Sequence, residues 1–107
     1  PPGATVGAVF CVGALRIDWL RRQVWLGEQE VHLTPIEYRL LTTLAQHAGK
    51  VLTHSQLLAA VWGPNHGQAS HSLRVYMGML RRKLEVDATR PRYLLTEPGV
   101  GYRLAAA

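Results

Sequence analysis

Between residues 14 and 33, apolar and polar positions alternate imperfectly, as ALRIDW, QVWLG and EVHL, with turn-prone breaks at 20–22 and 27–29. A period of two predicts a small antiparallel β-meander. Its apolar face, drawn from Leu15, Ile17, Trp19, Val24, Leu26, Val31 and Leu33, needs a cover. The pattern then turns helical. In TPIEYRLLTTLAQHAGK, Thr34 stands as N-cap, Pro35 as the first helical residue and Glu37 three positions after the cap, which makes a capping box with a favourable N1 proline. Ile36, Leu40, Leu41 and Leu44 form one apolar stripe, and Gly49 ends the helix. Thr53 and Gln56 repeat the capping-box spacing before LLAAVW, and Gly63, Pro64 and Asn65 stop this second helix, predicted over 54–62. GPNHGQAS has the composition of a loop, a third helix is predicted over 70–85, and RYLLTEPGVGYRL reads as two strands around a Glu97-Pro98-Gly99-Val100 turn.

The order sheet, three helices, hairpin places the chain in the α+β class. At 107 residues it has room for a single hydrophobic core. No window of about 18 consecutive apolar residues occurs, so no membrane span is expected. The opening PPGATVGAVF lacks a charged n-region and is expected to be inter-domain linker rather than a signal peptide. Residues 1–13 are thus assigned to linker or the end of the meander, 14–104 to the domain and 105–107 to a tail. Cys11 is a lone cysteine with no internal disulfide partner; it reads as a small apolar residue and favours a reducing cytoplasm.

Charge sharpens the picture, because it is unevenly placed. Residues 1–70 hold five Lys/Arg against four Asp/Glu and residues 71–107 hold seven against three, net +1 and +4. A polyanion is therefore the leading partner. On a wheel of about 100° per residue, the third helix turns Leu73, Tyr76, Met77, Leu80 and Leu84 to one side. The other side collects His71, Arg74, Val75, Gly78 and Arg82, with Arg81 at its edge. Glycine in a helix interior costs roughly 1 kcal/mol relative to alanine. Its use here is close approach: a major groove about 12 Å wide admits one helix, and a missing side chain lets the backbone come nearer. Arg74 and Arg82 have the fork that reads guanine edges, His71 or Ser72 at the helix start suits a phosphate or base edge, and Val75 suits a thymine methyl. The plain alternative for RRK is a solvated helix end that complements the dipole. A short second helix, a loop, a basic third helix and a hairpin that serves as a wing together make a winged helix-turn-helix, which favours DNA.

These segments also resemble a known family. LTPIEYRLLTTLAQHAGKVLTHSQLLAAVWG, then LRVYMGMLRRKLE, then GVGYRL, are similar to the winged-helix effector domain of OmpR/PhoB-type bacterial response regulators, over residues 14–104. VWGPN and LRVYMG are further similar to a branch that works with a potassium-sensing histidine kinase, which implies control of potassium-transport genes. The resemblance implies an N-terminal receiver domain phosphorylated by that sensor kinase. It also implies dimerisation on tandem half-sites of promoter DNA, and RNA polymerase contact through the loop of Gly63, Pro64, Asn65 and His66. Family DNA contacts carry over onto His71, Ser72, Arg74, Tyr76, Arg81 and Arg82 of the third helix, and onto Thr96 and the 99–101 tip, with Gly99, in the wing. Two positions depart from the family pattern: Pro98 stands where many relatives have arginine, and Gly78 stands where many are basic.

Other chemistry finds no pattern. His32, His47, His54, His66 and His71 have no paired ligand spacing and Cys11 has no CxxC partner, so no metal is expected. No GxSxG, Walker or GxGxxG motif opens a helix, so no enzyme and no cofactor are expected. Trp19 and Trp62 read as packing residues, and Trp25 falls out of phase with its strand and is expected to be exposed. A competing class is a winged-helix protein-interaction module whose basic helix meets an acidic partner. Membrane-surface binding ranks last, since the helix needs its apolar face for the core.

Overall fold

A computed structural model describes residues 9–65, 67 and 69–106. Four antiparallel strands come first: β1 (Val9–Val12), β2 (Leu15–Asp18), β3 (Gln23–Leu26) and β4 (Gln29–Val31), hydrogen-bonded in that order. The meander therefore has one strand more than the alternation predicts. VFCV is an apolar run without a period of two, so it carries no half-buried signature of its own; it is recruited by pairing with LRID, Val9 opposite Asp18 and Val12 opposite Leu15. Cys11, read as a small apolar residue, is exposed on this strand.

Three helices follow: α1 (Pro35–Gln46), α2 (His54–Trp62) and α3 (Ser70–Leu84). Both capping boxes form as the sequence specifies. Thr34 accepts from the Glu37 amide while the Glu37 carboxylate accepts from the Thr34 amide, and Thr53 and Gln56 repeat the exchange at α2. Helix α1 stops at Gln46, three residues before the predicted end. Gly49 belongs instead to the turn that follows, at φ +85°, where its amide donates to the Leu104 carbonyl at 2.7 Å.

The C-terminal sheet is three-stranded, in the order β5 (Leu52–Thr53), β7 (Gly101–Leu104), β6 (Leu94–Glu97). The hairpin is the predicted one, closed by a Pro98-Gly99 turn with Gly99 at φ +76° and the Val100 amide donating to the Glu97 carbonyl at 3.0 Å. This is type II geometry, which suits proline before glycine. Strand β5 is the addition. Two residues are too short for a period, and they become a strand only because β7 lies alongside.

The core lies between these layers. Leu15, Ile17 and Val24 of the meander, Leu40, Leu41 and Leu44 of α1, Leu57 and Val61 of α2, Leu73, Met77, Leu80 and Leu84 of α3, and Leu94 and Leu104 of the hairpin are all buried in one cluster. The remaining expected core positions, Trp19, Leu26, Val31, Leu33, Ile36 and Tyr76, pack on it half-buried. Trp19 meets Phe10 edge-on at 6.5 Å and Trp62 meets Tyr76 at 5.8 Å, as packing residues do. Trp25, expected to be exposed, is half-buried beneath the Arg16 guanidinium at 5.2 Å. Among the described residues no helix is long and apolar enough to cross a membrane.

Candidate nucleic-acid interface

Helix α3 shows the amphipathic split that its sequence predicts. Leu73, Met77, Leu80 and Leu84 are each at most 1% exposed, whereas His71, Arg74, Val75 and Arg82 lie exposed on the other side. Gly78 sits among them, half-buried. A Cβ built there would meet only the Arg82 Nη2, at 3.6 Å, which is ordinary contact. Packing therefore does not demand this glycine. Met79, not among the sequence-derived site residues, also reaches solvent, at 38% against 40% for Val75, and lies one helical turn from it. Its position about 60° beyond Arg82 on the wheel is the available signal.

The charged run RRKLE divides by role. Lys83 donates from Nζ to the Glu37 carboxylate at 2.7 Å and to the His32 carbonyl at 3.1 Å, joining α3 to α1 and to the end of the meander. Glu85, just after α3, accepts from the amides of Arg92, Tyr93 and Leu94 at 2.8, 2.9 and 2.8 Å, which holds the connection into β6. Arg81 donates from Nε to the Leu94 carbonyl at 3.0 Å and from Nη2 to Thr96 Oγ1 at 2.6 Å, with its guanidinium 5.8 Å from the Tyr102 ring. Among the described residues Arg74 and Arg82 form no hydrogen bond or ion pair. Of the three consecutive basic residues 81–83, then, only Arg82 is uncommitted. The plain reading of RRK as a solvated end fails for Arg81 and Lys83, because both carry tertiary contacts.

Glu37 couples this helix to acid. Burial, the largest single effect, raises its pKa, but the hydrogen bond from Lys83, those from Thr34 and the Lys83 charge together hold it below its ordinary 4.5. A depressed folded value means that the contribution to stability is complete above the unfolded pKa and is lost as pH falls through the folded one. Urea denaturation from about pH 6 down to about pH 3 is therefore expected to show stability falling below about pH 4.5, and Glu37→Gln to flatten that fall. Equal slopes for the two proteins would assign the acid sensitivity elsewhere.

The N-terminus of α3 adds to the same surface: its N-cap, Ala69, makes no side-chain cap, and no acidic residue stands in the first turn, so no carboxylate of that turn opposes an anion beside His71 and Arg74. In the wing, Thr96 and Gly99 are exposed, as are Pro98 and Val100 at the tip. The structure thus brings His71, Ser72, Arg74, Val75, Gly78 and Arg82 together on one helix. Tyr76 is drawn aside onto Trp62, and Arg81 and Thr96 are engaged with each other. Gly63, at φ +94°, terminates α2, and Pro64 and Asn65 are exposed beyond it; His66 lies outside the described residues.

Comparison with known proteins finds the same arrangement elsewhere. Residues 28–104 match the family described as "Transcriptional regulatory protein, C terminal". Over 87 residues the chain is 60% identical to the KDP operon transcriptional regulatory protein KdpE of Escherichia coli (strain K12), a match covering 81% of this chain and 39% of that protein. The chain thus spans about two fifths of that relative's length. Among solved structures, the response regulator DrrB of Thermotoga maritima, described as an OmpR/PhoB homolog, aligns with a TM-score of 0.84 at 33% identity over 92% of this chain and 44% of that one. The RstA DNA-binding domain of Klebsiella pneumoniae, solved in complex with the RstA box, aligns with a TM-score of 0.81 at 33% identity over 92% of this chain and 98% of that domain.

Proposed function

The chain belongs to the C-terminal DNA-binding domains of OmpR/PhoB-type transcriptional regulators, which are not enzymes, and from that membership we propose that it recognises a specific duplex sequence with α3 in the major groove and the wing on the adjacent backbone and minor groove. One observation carries the reading: an interior helix glycine with free space above it, at the centre of a face whose Arg74 and Arg82 have no internal partner among the described residues. Arg74 and Arg82 read base edges or grip phosphates, His71, Ser72 and the N-terminal turn of α3 hold the backbone, and Val75 and Met79 meet thymine methyls. At the wing, Thr96 meets the backbone and Gly99 lets the tip approach the minor groove.

Family membership and likeness to response regulators support a receiver domain as partner, and the resemblance to OmpR/PhoB-type regulators adds its phosphorylation by a sensor histidine kinase and dimerisation on tandem half-sites. The loop carrying Gly63, Pro64, Asn65 and His66 is the surface for RNA polymerase. Likeness to the KDP operon regulator supports potassium-transport genes as the target, and a chromosomal target makes the working compartment the cytoplasm.

The test is a titration of the domain against a promoter duplex selected from a random pool and against its scrambled counterpart, at two salt concentrations. Affinity for the selected duplex is expected to fall with a log–log slope of about −0.9 per phosphate contact, and Arg74→Ala to weaken binding by roughly tenfold or more. Equal affinity for the two duplexes removes sequence specificity. If no duplex binds and Arg74→Ala changes nothing, the basic helix meets an acidic protein instead.

A further inference from the structure

We propose that Arg81 is a positioning residue for DNA binding: it fixes the wing against α3 and aims the Thr96 hydroxyl at a backbone phosphate. The inference rests on the duplex-binding reading above and assigns Arg81 a role other than contact with DNA.

The two residues are 15 apart in sequence and belong to different elements, yet one guanidinium spans two positions of a single strand face. Nε takes the Leu94 carbonyl at 3.0 Å and Nη2 takes Thr96 Oγ1 at 2.6 Å, so residues 94 and 96, which share one face of β6, are held together. The same guanidinium lies 5.8 Å from the ring of Tyr102, whose backbone pairs with Thr96 across the hairpin. Two donors in a rigid fork with a flat face behind them define an angle between α3 and the wing that a single ammonium does not.

Thr96 is exposed on the wing, and its oxygen already accepts a charge-assisted hydrogen bond. Its own proton must therefore point away from Arg81. With a cation behind the oxygen it is a stronger donor than a free hydroxyl, and the acceptor it suits is an anionic oxygen outside the protein. On a duplex lying across α3 and the wing, that oxygen is a phosphate.

The experiment replaces single phosphates of the selected duplex with uncharged methylphosphonates, one position at a time. For the wild-type domain, one substitution beneath the wing is expected to cost about fivefold in affinity. Thr96→Val, which keeps the shape and removes the hydroxyl, should erase that penalty while leaving those along α3 intact. Arg81→Met should erase the same penalty, and the double variant should be no weaker than either single one. Thr96→Ser should retain the penalty, and Arg81→Lys should not restore it. An Arg81→Met protein that keeps the full phosphate profile, or losses that simply add in the double variant, would overturn the role. If Arg81→Met does not fold, the comparison of Arg81→Lys with Thr96→Val and Thr96→Ser decides it by the same profile. A wild-type domain that binds no duplex specifically overturns the DNA reading, and this role with it.

Discussion

Gly101→Ala is expected to destabilise the domain by about 3 kcal/mol or more, a fall in melting temperature of roughly 12 °C or more. Gly101 pairs with Thr53 where β7 crosses β5, and the strands approach so closely that a Cβ would fall on the Leu52 carbonyl oxygen, 2.8 Å from the Leu52 carbonyl carbon and 2.9 Å from Thr53 Cα. The atoms in the way are backbone, so no rotamer change relieves them. Moving β5 away would pull Leu52 from the core and disturb the α2 N-terminus, whose His54 amide donates to the Val100 carbonyl and whose ring packs on Tyr102 at 5.6 Å. Gly99→Ala is the control. That position has nothing within 4 Å of a Cβ, so the cost is only that of φ +76° for an alanine, about 1–2 kcal/mol. Thermal unfolding followed by circular dichroism separates the two, and similar melting temperatures for them would show that the crossing yields easily.

This contrast also shows where the sequence could be read and where it could not. Glycines 99 and 101 are two apart in one motif, GVGYR, and the pattern alone assigns both to the tip. Only the crossing of β5, which lies some 48 residues upstream in Thr53 and Leu52, gives them different jobs. Helix starts were legible because a capping box is decided within four residues: Thr34 with Glu37, Thr53 with Gln56. The core face of α3 was legible because its period is set by the helix itself.

The charged residues at the end of α3 were not legible in the same way. Arg81, Lys83 and Glu85 find partners 13 and 15, 46 and 51, and 7 to 9 residues away, so no local spacing announces them. Family resemblance implies DNA contact for both Arg81 and Thr96, and the hydrogen bond from the first to the second is a relation that the resemblance does not announce. Glu37 carries two duties that pattern reading cannot separate, since its carboxylate caps α1 and also receives Lys83. In each case the residue type was informative and the partner was not, because the partner is supplied by the fold.

Gly78→Glu is expected to weaken specific duplex binding by more than about 100-fold while leaving the melting temperature nearly unchanged. Two effects combine on the binding side. A glutamate side chain on the face that approaches the groove displaces the helix backbone from the base edges, and its carboxylate adds like charge beside phosphates. It also stands one turn from Arg82, where it is placed to form an i, i+4 pair and withdraw that guanidinium from the duplex. On the stability side the terms are small and favourable: glutamate is a better helix former than glycine by several tenths of a kcal/mol, and a Cβ meets nothing closer than the mobile end of Arg82, at 3.6 Å. Gly78→Ala separates bulk from charge. It should be stabilised by up to about 1 kcal/mol and bind more weakly than wild type but more strongly than Gly78→Glu. Electrophoretic mobility shift beside thermal melts reads both quantities. A Gly78→Glu protein that unfolds would place the glycine in the packing of the domain, and one that binds its selected duplex as wild type does would move the groove contact off this face of α3 altogether.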